Sequence, residues 1–277
     1  MVRDRLPLSA GPHWLITGAA RGIGEALARE VRRHIPRVRL SLVDRELESV
    51  QRLVSELGQA SALGCELADI ASLPSLLNEA RAVSGPIDVL VNNAGVMWVG
   101  AADGFGAERT EALIDIDLIA PIRLAQLALP EMRSRGRGCI VNVASLAGVT
   151  PLRGCSIYAA AKAGIAHYSE TLRAEMLPHG IDVLTVYPGP VRTQLERDAR
   201  RGLKASWASR AAPVGEPSEL ARLIRLGVER RAARVVYPRS YELAWRFPRL
   251  AGWITARFSP PPDSNARALW VGQSEMP

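Results

Sequence analysis

The chain has 277 residues and a mass of 30.0 kDa, with 48% apolar and 23% charged residues. This length fits one large domain or two small ones, and the apolar content excludes disorder as the main state. The formal net charge is +7, all of it in residues 195–277, which hold 15 basic and 8 acidic residues against 20 and 20 in residues 1–194. We expect no nucleic-acid partner, because the basic residues lie in the last third without a recognition motif.

Strand-like and helix-like segments alternate from residue 13 to residue 187. The predicted strands are short runs rich in Val, Ile and Leu, at 13–17, 38–43, 60–65, 87–91, 140–143, 181–187 and 234–237. Apolar residues at helical spacing predict helices at 22–34, 46–57, 72–83, 107–134, 156–177 and 217–231. Pro121 is either tolerated within the long helix at 107–134 or kinks it. This alternation is typical of an α/β fold with a doubly wound parallel sheet between two helical layers. Ligands of such folds bind beyond the carboxyl ends of the strands.

The alternation weakens after about residue 190. Residues 195–215 are rich in Arg, Ala and Gly, and the segment 190–215 is interpreted as a substrate lid. The Pro- and Ser-rich residues 259–277 are predicted to be loose. Residues 240–258 interleave Trp and Phe with Arg. They could cover the substrate pocket, form a subunit interface or, less favoured, lie on a membrane surface. With no internal repeat, we expect 1–277 to be a single domain with 240–277 as its C-terminal extension.

The three cysteines, Cys65, Cys139 and Cys155, lie far apart in the sequence. Their odd number and the lack of a CxxC spacing predict neither a disulfide framework nor a metal site. No apolar run reaches the roughly 18 residues that span a bilayer, and no signal-type apolar core is visible. We therefore expect a cytoplasmic protein.

A glycine-rich motif, TGAARGIG, follows the first predicted strand at residues 17–24. Gly18, Gly22 and Gly24 allow a tight turn and a close approach of a pyrophosphate to the start of a helix. Asp44 ends the second strand, 20 residues after Gly24. A carboxylate there can accept hydrogen bonds from both hydroxyls of an adenosine ribose. This order of strand, glycines, helix and acid predicts a dinucleotide site.

The fourth predicted strand ends in NNAG, at residues 92–95. Asn side chains bond to nearby backbone, and the Ala-Gly pair permits the close approach of a ligand. Taken alone, the motif is equally compatible with an ordinary turn.

Ser145 follows the fifth strand, and Tyr158 and Lys162 stand four residues apart on the next predicted helix. Residues at this spacing share a helical face, so Lys162 can bring a positive charge near the Tyr158 hydroxyl. A free tyrosine has a pKa of about 10, and a neighbouring cation favours the phenolate. The three residues therefore predict an acid–base site in which Ser145 holds the substrate oxygen.

Together with YPGPVRT at 187–193, these motifs resemble the short-chain dehydrogenase/reductase family over about residues 13–240. The resemblance implies a seven-stranded doubly wound sheet, the Rossmann fold, and a nicotinamide cofactor. It also implies oxidation of an alcohol or reduction of a carbonyl. A homodimer or homotetramer is expected, with the helices at 107–134 and 156–177 forming an interface.

The resemblance also implies the roles of individual residues. Tyr158 would be the general acid–base, Lys162 would lower its pKa and bind the nicotinamide ribose, and Ser145 would orient the substrate oxygen. Thr193 would bind the carboxamide, and Asn93 would fix the region around the adenosine ribose. The residues expected to contact the cofactor are Gly18, Arg21, Gly22, Ile23, Gly24, Asp44, Arg45, Glu66, Leu67, Asn93, Ala94, Gly95, Tyr158, Lys162, Pro188, Gly189, Val191 and Thr193.

Two positions depart from the family pattern. Asp117, within residues 116–120, stands where the family usually has an Asn whose main-chain carbonyl binds a water near the lysine. We group Asp117 with the catalytic residues, because it could keep that main-chain role or pair with Lys162 and alter proton transfer. Glu66 replaces the usual Asp near the adenine, which is a milder change.

The cofactor could be NAD(H) or NADP(H). Asp44 would repel a 2′-phosphate, whereas Arg21 and Arg45 could attract one. A carboxylate aimed at the ribose should outweigh two mobile arginines, so NAD(H) is favoured.

The expected function is interconversion of a secondary alcohol and a ketone with Tyr158 as the acid–base. Leu195, Leu203, Trp207 and Trp98 hint at a fairly apolar substrate. The alternative is a dinucleotide-binding regulator or scaffold without turnover, for which Asp117 is the only support.

Overall fold

The computed structural model describes residues 11–202, 212–259 and 269–271. Its strands are β1 (His13–Thr17), β2 (Arg39–Asp44), β3 (Ala60–Gly64), β4 (Val89–Asn92), β5 (Met97–Val99), β6 (Gly138–Val143), β7 (Ile181–Pro188), β8 (Arg234–Tyr237) and β9 (Leu269–Val271). Seven of them form one parallel sheet in the order β3-β2-β1-β4-β6-β7-β8. The predicted seven-stranded doubly wound sheet is therefore confirmed.

Helices cover both faces of this sheet. They are α1 (Gly22–His34), α2 (Leu47–Leu57), α3 (Leu73–Ser84), α4 (Ala107–Ile114), α5 (Ala120–Ser134), α6 (Ser156–Met176), α7 (Gln194–Arg201), α8 (Pro217–Glu229), α9 (Glu242–Arg246) and α10 (Pro248–Phe258). Apolar residues of α1, α2 and α8 pack in one core, and those of α3, α5 and α6 pack in the other. Strands β1, β4, β6 and β7 are buried along their whole length, as expected for central strands covered on both sides.

The single long helix predicted over 107–134 is interrupted. Residues Asp115–Ile119 form a π-helical turn in which the Ala120 N–H bonds to the Asp115 carbonyl, five residues back. Pro121 explains the break, because proline lacks an N–H and its ring would clash with the carbonyl of Asp117 in a regular α-helix. The wider turn keeps the chain helical and leaves the Asp117 carbonyl without an α-helical donor.

The prediction that residues 259–277 are loose is wrong at one place. Strand β9 pairs antiparallel with β5, with Met97 opposite Val271. This pairing returns the end of the chain to the segment that follows the NNAG motif.

Leu203 and Trp207 of the predicted lid lie outside the described residues. In the part of the chain that the structure describes, no helix combines the length and the apolar content needed to cross a membrane.

Candidate active site

A cavity of about 1060 Å³ lies beyond the carboxyl ends of the strands. Its walls include residues that directly follow β1, β2, β4, β6 and β7. All the site residues predicted from the sequence line it except Gly24 and Asp117. The doubly wound topology thus gathers segments spread over about 175 residues into one site, because parallel strands all end at the same edge of the sheet.

The glycine-rich turn forms one end of the cavity and requires its glycines. Gly18 has φ +67°, and a Cβ there would come within 2.7 Å of the Cα of Ala94. Gly24 does not reach the cavity, because it packs against the carbonyl of Gly18, and a Cβ would collide with it. Its role is to let α1 begin directly behind the turn, so that the helix N-terminus faces the cavity.

The NNAG motif is held against this turn rather than forming an isolated loop. The Asn93 side chain donates from Nδ2 to the carbonyls of Thr17 and Gly18 at 2.9 and 3.1 Å. The Thr17 hydroxyl accepts from the backbone N–H groups of Asn93 and Ala94 at 3.0 and 3.1 Å. Of the two interpretations of NNAG, the structure therefore favours a part of the site wall.

Asp44 lies at the end of β2 with its carboxylate held by backbone. Oδ2 accepts from the Ala20 N–H at 3.0 Å, and Oδ1 accepts from the Glu46 N–H at 3.1 Å. Arg21 forms an ion pair with Glu46, with 2.9 Å between Nη2 and Oε1. The carboxylate is thus positioned on the cavity wall, and Arg21 has an acidic partner next to it.

Ser145, Tyr158 and Lys162 line the same cavity. Ser145 lies two residues after the end of β6. Its hydroxyl accepts from the Ala147 N–H at 3.1 Å and caps a short 3₁₀ turn. That turn packs onto α6 through Gly148, where a Cβ would lie 2.6 Å from the Lys162 carbonyl carbon. No motif in the sequence pointed to Gly148, which allows the Ser145 segment to approach the helix that carries Tyr158 and Lys162.

Lys162 and Asp117 form a buried ion pair, with 3.2 Å between Nζ and Oδ2. Nζ also donates to the Val143 carbonyl at 3.2 Å, and Asp117 Oδ1 accepts from the Val96 N–H at 2.8 Å. A Cβ at Gly95 would lie 3.2 Å from Nζ and 3.3 Å from Oδ1, so Gly95 leaves room for the pair. Of the two roles considered for Asp117, the structure favours pairing with Lys162.

This pair changes the titration of Tyr158. Burial raises the pKa of Tyr158, the charge of Lys162 lowers it, the charge of Asp117 raises it, and the Ser145 hydroxyl lowers it. The pKa of Tyr158 ends above its ordinary value, so the lowering expected from Lys162 is present but outweighed. Burial lowers the pKa of Lys162, but Asp117 and Tyr158 together raise it by more. The pKa of Lys162 therefore ends above its ordinary value, and the lysine stays charged. Burial raises the pKa of Asp117 against the opposing charge of Lys162.

The shape and chemistry of the cavity fit a dinucleotide. Gly18, Gly22 and Gly95 all line the cavity, so backbone without side chains forms part of its wall, and Gly22 also has a positive φ of +61°. The Asp44 carboxylate, suited to ribose hydroxyls, and the Lys162 ammonium line the same cavity. Among the described residues, no group of three or more His, Cys, Asp or Glu residues could hold a metal ion.

The C-terminal extension supplies part of the cavity wall. Its residues that line the cavity are Tyr241, Ala244, Ala251, Ile254, Thr255 and Ser259. Helix α10 packs close to the loop before α6, since a Cβ on Gly252 would lie 3.2 Å from Pro151. Of the three alternatives for residues 240–258, the structure supports a cover over the pocket on the inner side of this segment. In the sequence, the interleaving of Trp and Phe with Arg left this cover as one of three alternatives.

Comparisons with known proteins identify the family of this chain. The family model described as short chain dehydrogenase matches residues 12–204. Ketoacyl reductase HetN of Nostoc sp. is 30% identical over 80% of this chain and 77% of its own length. Carbonyl reductase family member 4 of Xenopus laevis is 32% identical over 76% of this chain and 87% of its own. A short-chain dehydrogenase from Sphingobium yanoikuyae, solved with NADPH, superposes with a TM-score of 0.73 at 32% identity, over 92% of this chain and 98% of that one.

Proposed function

This chain belongs to the short-chain dehydrogenase/reductase family of oxidoreductases, and we propose that it interconverts a secondary alcohol and a ketone with a nicotinamide cofactor. One observation carries the proposal: Ser145, Tyr158 and Lys162 line the same cavity as the glycine-rich turn and Asp44. When bound, the cofactor would accept or return the electron pair and hydrogen of the substrate C–H bond. The protein groups would hold the oxygen and move its proton.

Tyr158 is the proposed general acid–base. With its pKa above the ordinary value, the hydroxyl carries its proton at neutral pH and can donate it to the oxygen of a ketone being reduced. Ser145 would hold that oxygen by a second hydrogen bond, since its hydroxyl lines the cavity beside Tyr158. Lys162 would stabilise the phenolate that remains.

We propose NAD(H) as the preferred cofactor. Asp44 is held at the cavity wall by two backbone N–H groups, and a 2′-phosphate there would meet a like charge. Arg21 is paired with Glu46, so its guanidinium is less available to bind a 2′-phosphate. The NADPH complex of the Sphingobium yanoikuyae protein shows that the fold also takes the phosphorylated cofactor in a relative. Dissociation constants at one salt concentration decide the preference, and tighter binding of NADPH than of NADH would overturn it.

The substrate half of the cavity indicates a fairly apolar substrate. Its wall carries mostly apolar side chains, among them Val96, Met97, Ile116, Leu146, Pro151, Leu152, Leu195, Ala199, Ala244, Ala251 and Ile254. Predicted lid residue Leu195 lies in this wall, whereas Trp98 is buried and does not line the cavity. The names of two relatives, ketoacyl reductase and carbonyl reductase, are in line with a carbonyl substrate.

We propose that the protein forms a homodimer or homotetramer in the cytoplasm. Helices α4, α5 and α6 would form the interface, as the family resemblance suggests. Light scattering on the purified chain measures the number of copies.

The test of the function is a panel of apolar ketones and secondary alcohols, followed by cofactor absorbance with NAD and NADP in parallel. Tyr158→Phe should lower kcat/KM at least about a thousandfold while cofactor binding is retained. Tyr168→Phe is the matched control, because Tyr168 lies on the same helix but does not line the cavity. Cofactor binding without turnover on any member of the panel would instead support the regulator or scaffold.

A further inference from the structure

The two helices at the C-terminal end carry an unusual outer surface. Eight large hydrophobic side chains of the described residues are exposed, and five of them lie within residues 243–254. These five are Leu243 (67% exposed), Phe247 (59%), Leu250 (60%), Trp253 (65%) and Ile254 (44%), and we call them the outer apolar surface. Exposed apolar residues scattered singly need no explanation, but such a concentration on consecutive helices marks an interaction site.

Positive charge accompanies this surface. Arg239, Arg246, Arg249 and Arg257 are all exposed, and Glu242 is the one acidic residue from 239 to 259. On α10, Leu250, Trp253, Ile254 and Arg257 follow the spacing that places side chains on one helical stripe. Trp prefers the polar boundary of a bilayer, and Phe and Leu form the apolar face of helices that lie in that boundary. Arg can extend its charge to lipid headgroups while its stem stays in apolar surroundings.

The same helix separates the outer surface from the cavity. Ala251 and Thr255 line the cavity, and Ile254 both lines it and is partly exposed, while Leu250 and Trp253 point outward. If the outer apolar surface lies on a membrane, only helix α10 separates the bilayer boundary from the cavity. An apolar molecule dissolved in that membrane would therefore be close to the cavity.

We propose that the outer apolar surface docks the protein onto an anionic lipid membrane. The charge favours lipid over a second copy of this chain as the occupant. A symmetric pair joined through this surface would bring the arginines of both copies together, whereas anionic headgroups are complementary to them. The docking stands on the exposed side chains alone and does not depend on the proposed turnover.

The experiment is co-sedimentation of the full chain with vesicles of phosphatidylcholine alone and of phosphatidylcholine with about one third phosphatidylglycerol. The wild type should bind only the anionic vesicles and should be released by salt, because salt screens charges at the membrane surface. Binding of neither vesicle, or equal binding of both, overturns the proposal.

Two variants test the residues separately. Leu250→Gln with Trp253→Gln removes apolar contact and should weaken binding at least about tenfold. Arg246→Glu with Arg249→Glu should weaken it at least about thirtyfold, at about fivefold for each neutralised arginine and more for a reversed charge.

Matched controls carry the same kinds of change elsewhere. Val83→Gln with Leu177→Gln replaces two exposed apolar residues, and Arg37→Glu with Arg52→Glu reverses two exposed charges. These controls should bind like the wild type, and thermal unfolding confirms that every variant is folded. If the surface variants bind like the controls, the proposal fails.

Light scattering on the same samples tests the other occupant. If Leu250→Gln with Trp253→Gln converts a dimer into a monomer and leaves vesicle binding unchanged, the surface belongs to a second copy and the membrane proposal is overturned.

Discussion

The two walls of the cavity are built in opposite ways. The sheet-edge wall carries Ser145, Tyr158 and Lys162, and its lysine is buried and paired with Asp117 at 3.2 Å. The C-terminal wall, formed by α9 and α10, presents mostly small residues to the cavity, Ala244, Ala251 and Thr255 beside Ile254, and it exposes large hydrophobics on its other side. Acid–base chemistry needs groups held in fixed geometry by a packed surrounding. To control which substrates enter the cavity, the C-terminal wall needs only a suitable shape. We therefore expect the two walls to respond differently to substitution.

The largest effect is expected for Lys162→Met in the sheet-edge wall, because this substitution leaves the buried Asp117 without its cation. We expect a loss of about 3–5 kcal/mol in the free energy of unfolding, together with loss of turnover. The double variant with Asp117→Asn should regain most of the stability but none of the turnover, as measured by denaturant unfolding and steady-state kinetics.

The stability of the Lys162→Met variant should depend on pH in a defined direction. Without Lys162, burial raises the pKa of Asp117 above its unfolded value with no opposing cation. The folded state then binds the proton more tightly, so the stability lost at neutral pH should return as the pH falls below the folded pKa. A deficit that persists in acid would show that the loss comes from packing rather than from the unpaired charge.

Gly148→Ala tests the packing of the sheet-edge wall. The added Cβ would meet backbone atoms of α6 at 2.6–2.7 Å, so we expect a destabilisation of about 1–3 kcal/mol and a displaced Ser145. Gly104→Ala is the control, since a Cβ there meets nothing within 4 Å. Thermal unfolding compares the two, and equal stability of both variants would contradict the proposed contact.

Ala251→Phe tests the C-terminal wall, where we expect selectivity to change without loss of chemistry. The larger side chain narrows the cavity and should reduce kcat/KM for large substrates about ten- to hundredfold, with small substrates and cofactor affinity little affected. Ala256→Phe, on the exposed side of the same helix, should leave both substrates unchanged. A general loss of turnover in Ala251→Phe would show that this wall also positions the reacting groups.

Asp117→Asn tests how the ion pair controls the Tyr158 proton, and it is expected to have the smallest effect on turnover. Asn keeps an oxygen for the Val96 N–H but removes the charge that raises the pKa of Tyr158. Alcohol oxidation needs the deprotonated phenol, so its pH–rate profile should move to lower pH and its rate at neutral pH should rise several-fold. Ketone reduction should lose activity at lower pH than in the wild type. A profile that stays in place would show that Asp117 acts only on the position of Lys162.

Much of the sheet-edge wall could be predicted because its motifs occupy strand ends. Gly18, Asp44, Asn93 and Ser145 each follow a buried apolar run, and parallel strands bring such positions together whatever the loops between them do. Tyr158 and Lys162 share a face because of helical periodicity, which is also a local property. The sequence left open whether Pro121 is tolerated in the long helix or kinks it. The π-helical turn at Asp115–Ile119 was not predicted, since a proline within a helical pattern does not specify how the backbone adapts around it.

The sequence by itself therefore determined the fold class, the family and the residues at the site, because each depends on local pattern and on the order of strands. Only the tertiary structure decided that Asp117 pairs with Lys162, that Gly148 lets the Ser145 turn reach α6, and that α10 covers the cavity with one side and exposes large hydrophobics on the other. These contacts join segments that are distant in the chain. Their distances and burial arise when the packed elements meet, and no spacing within one segment contains that information.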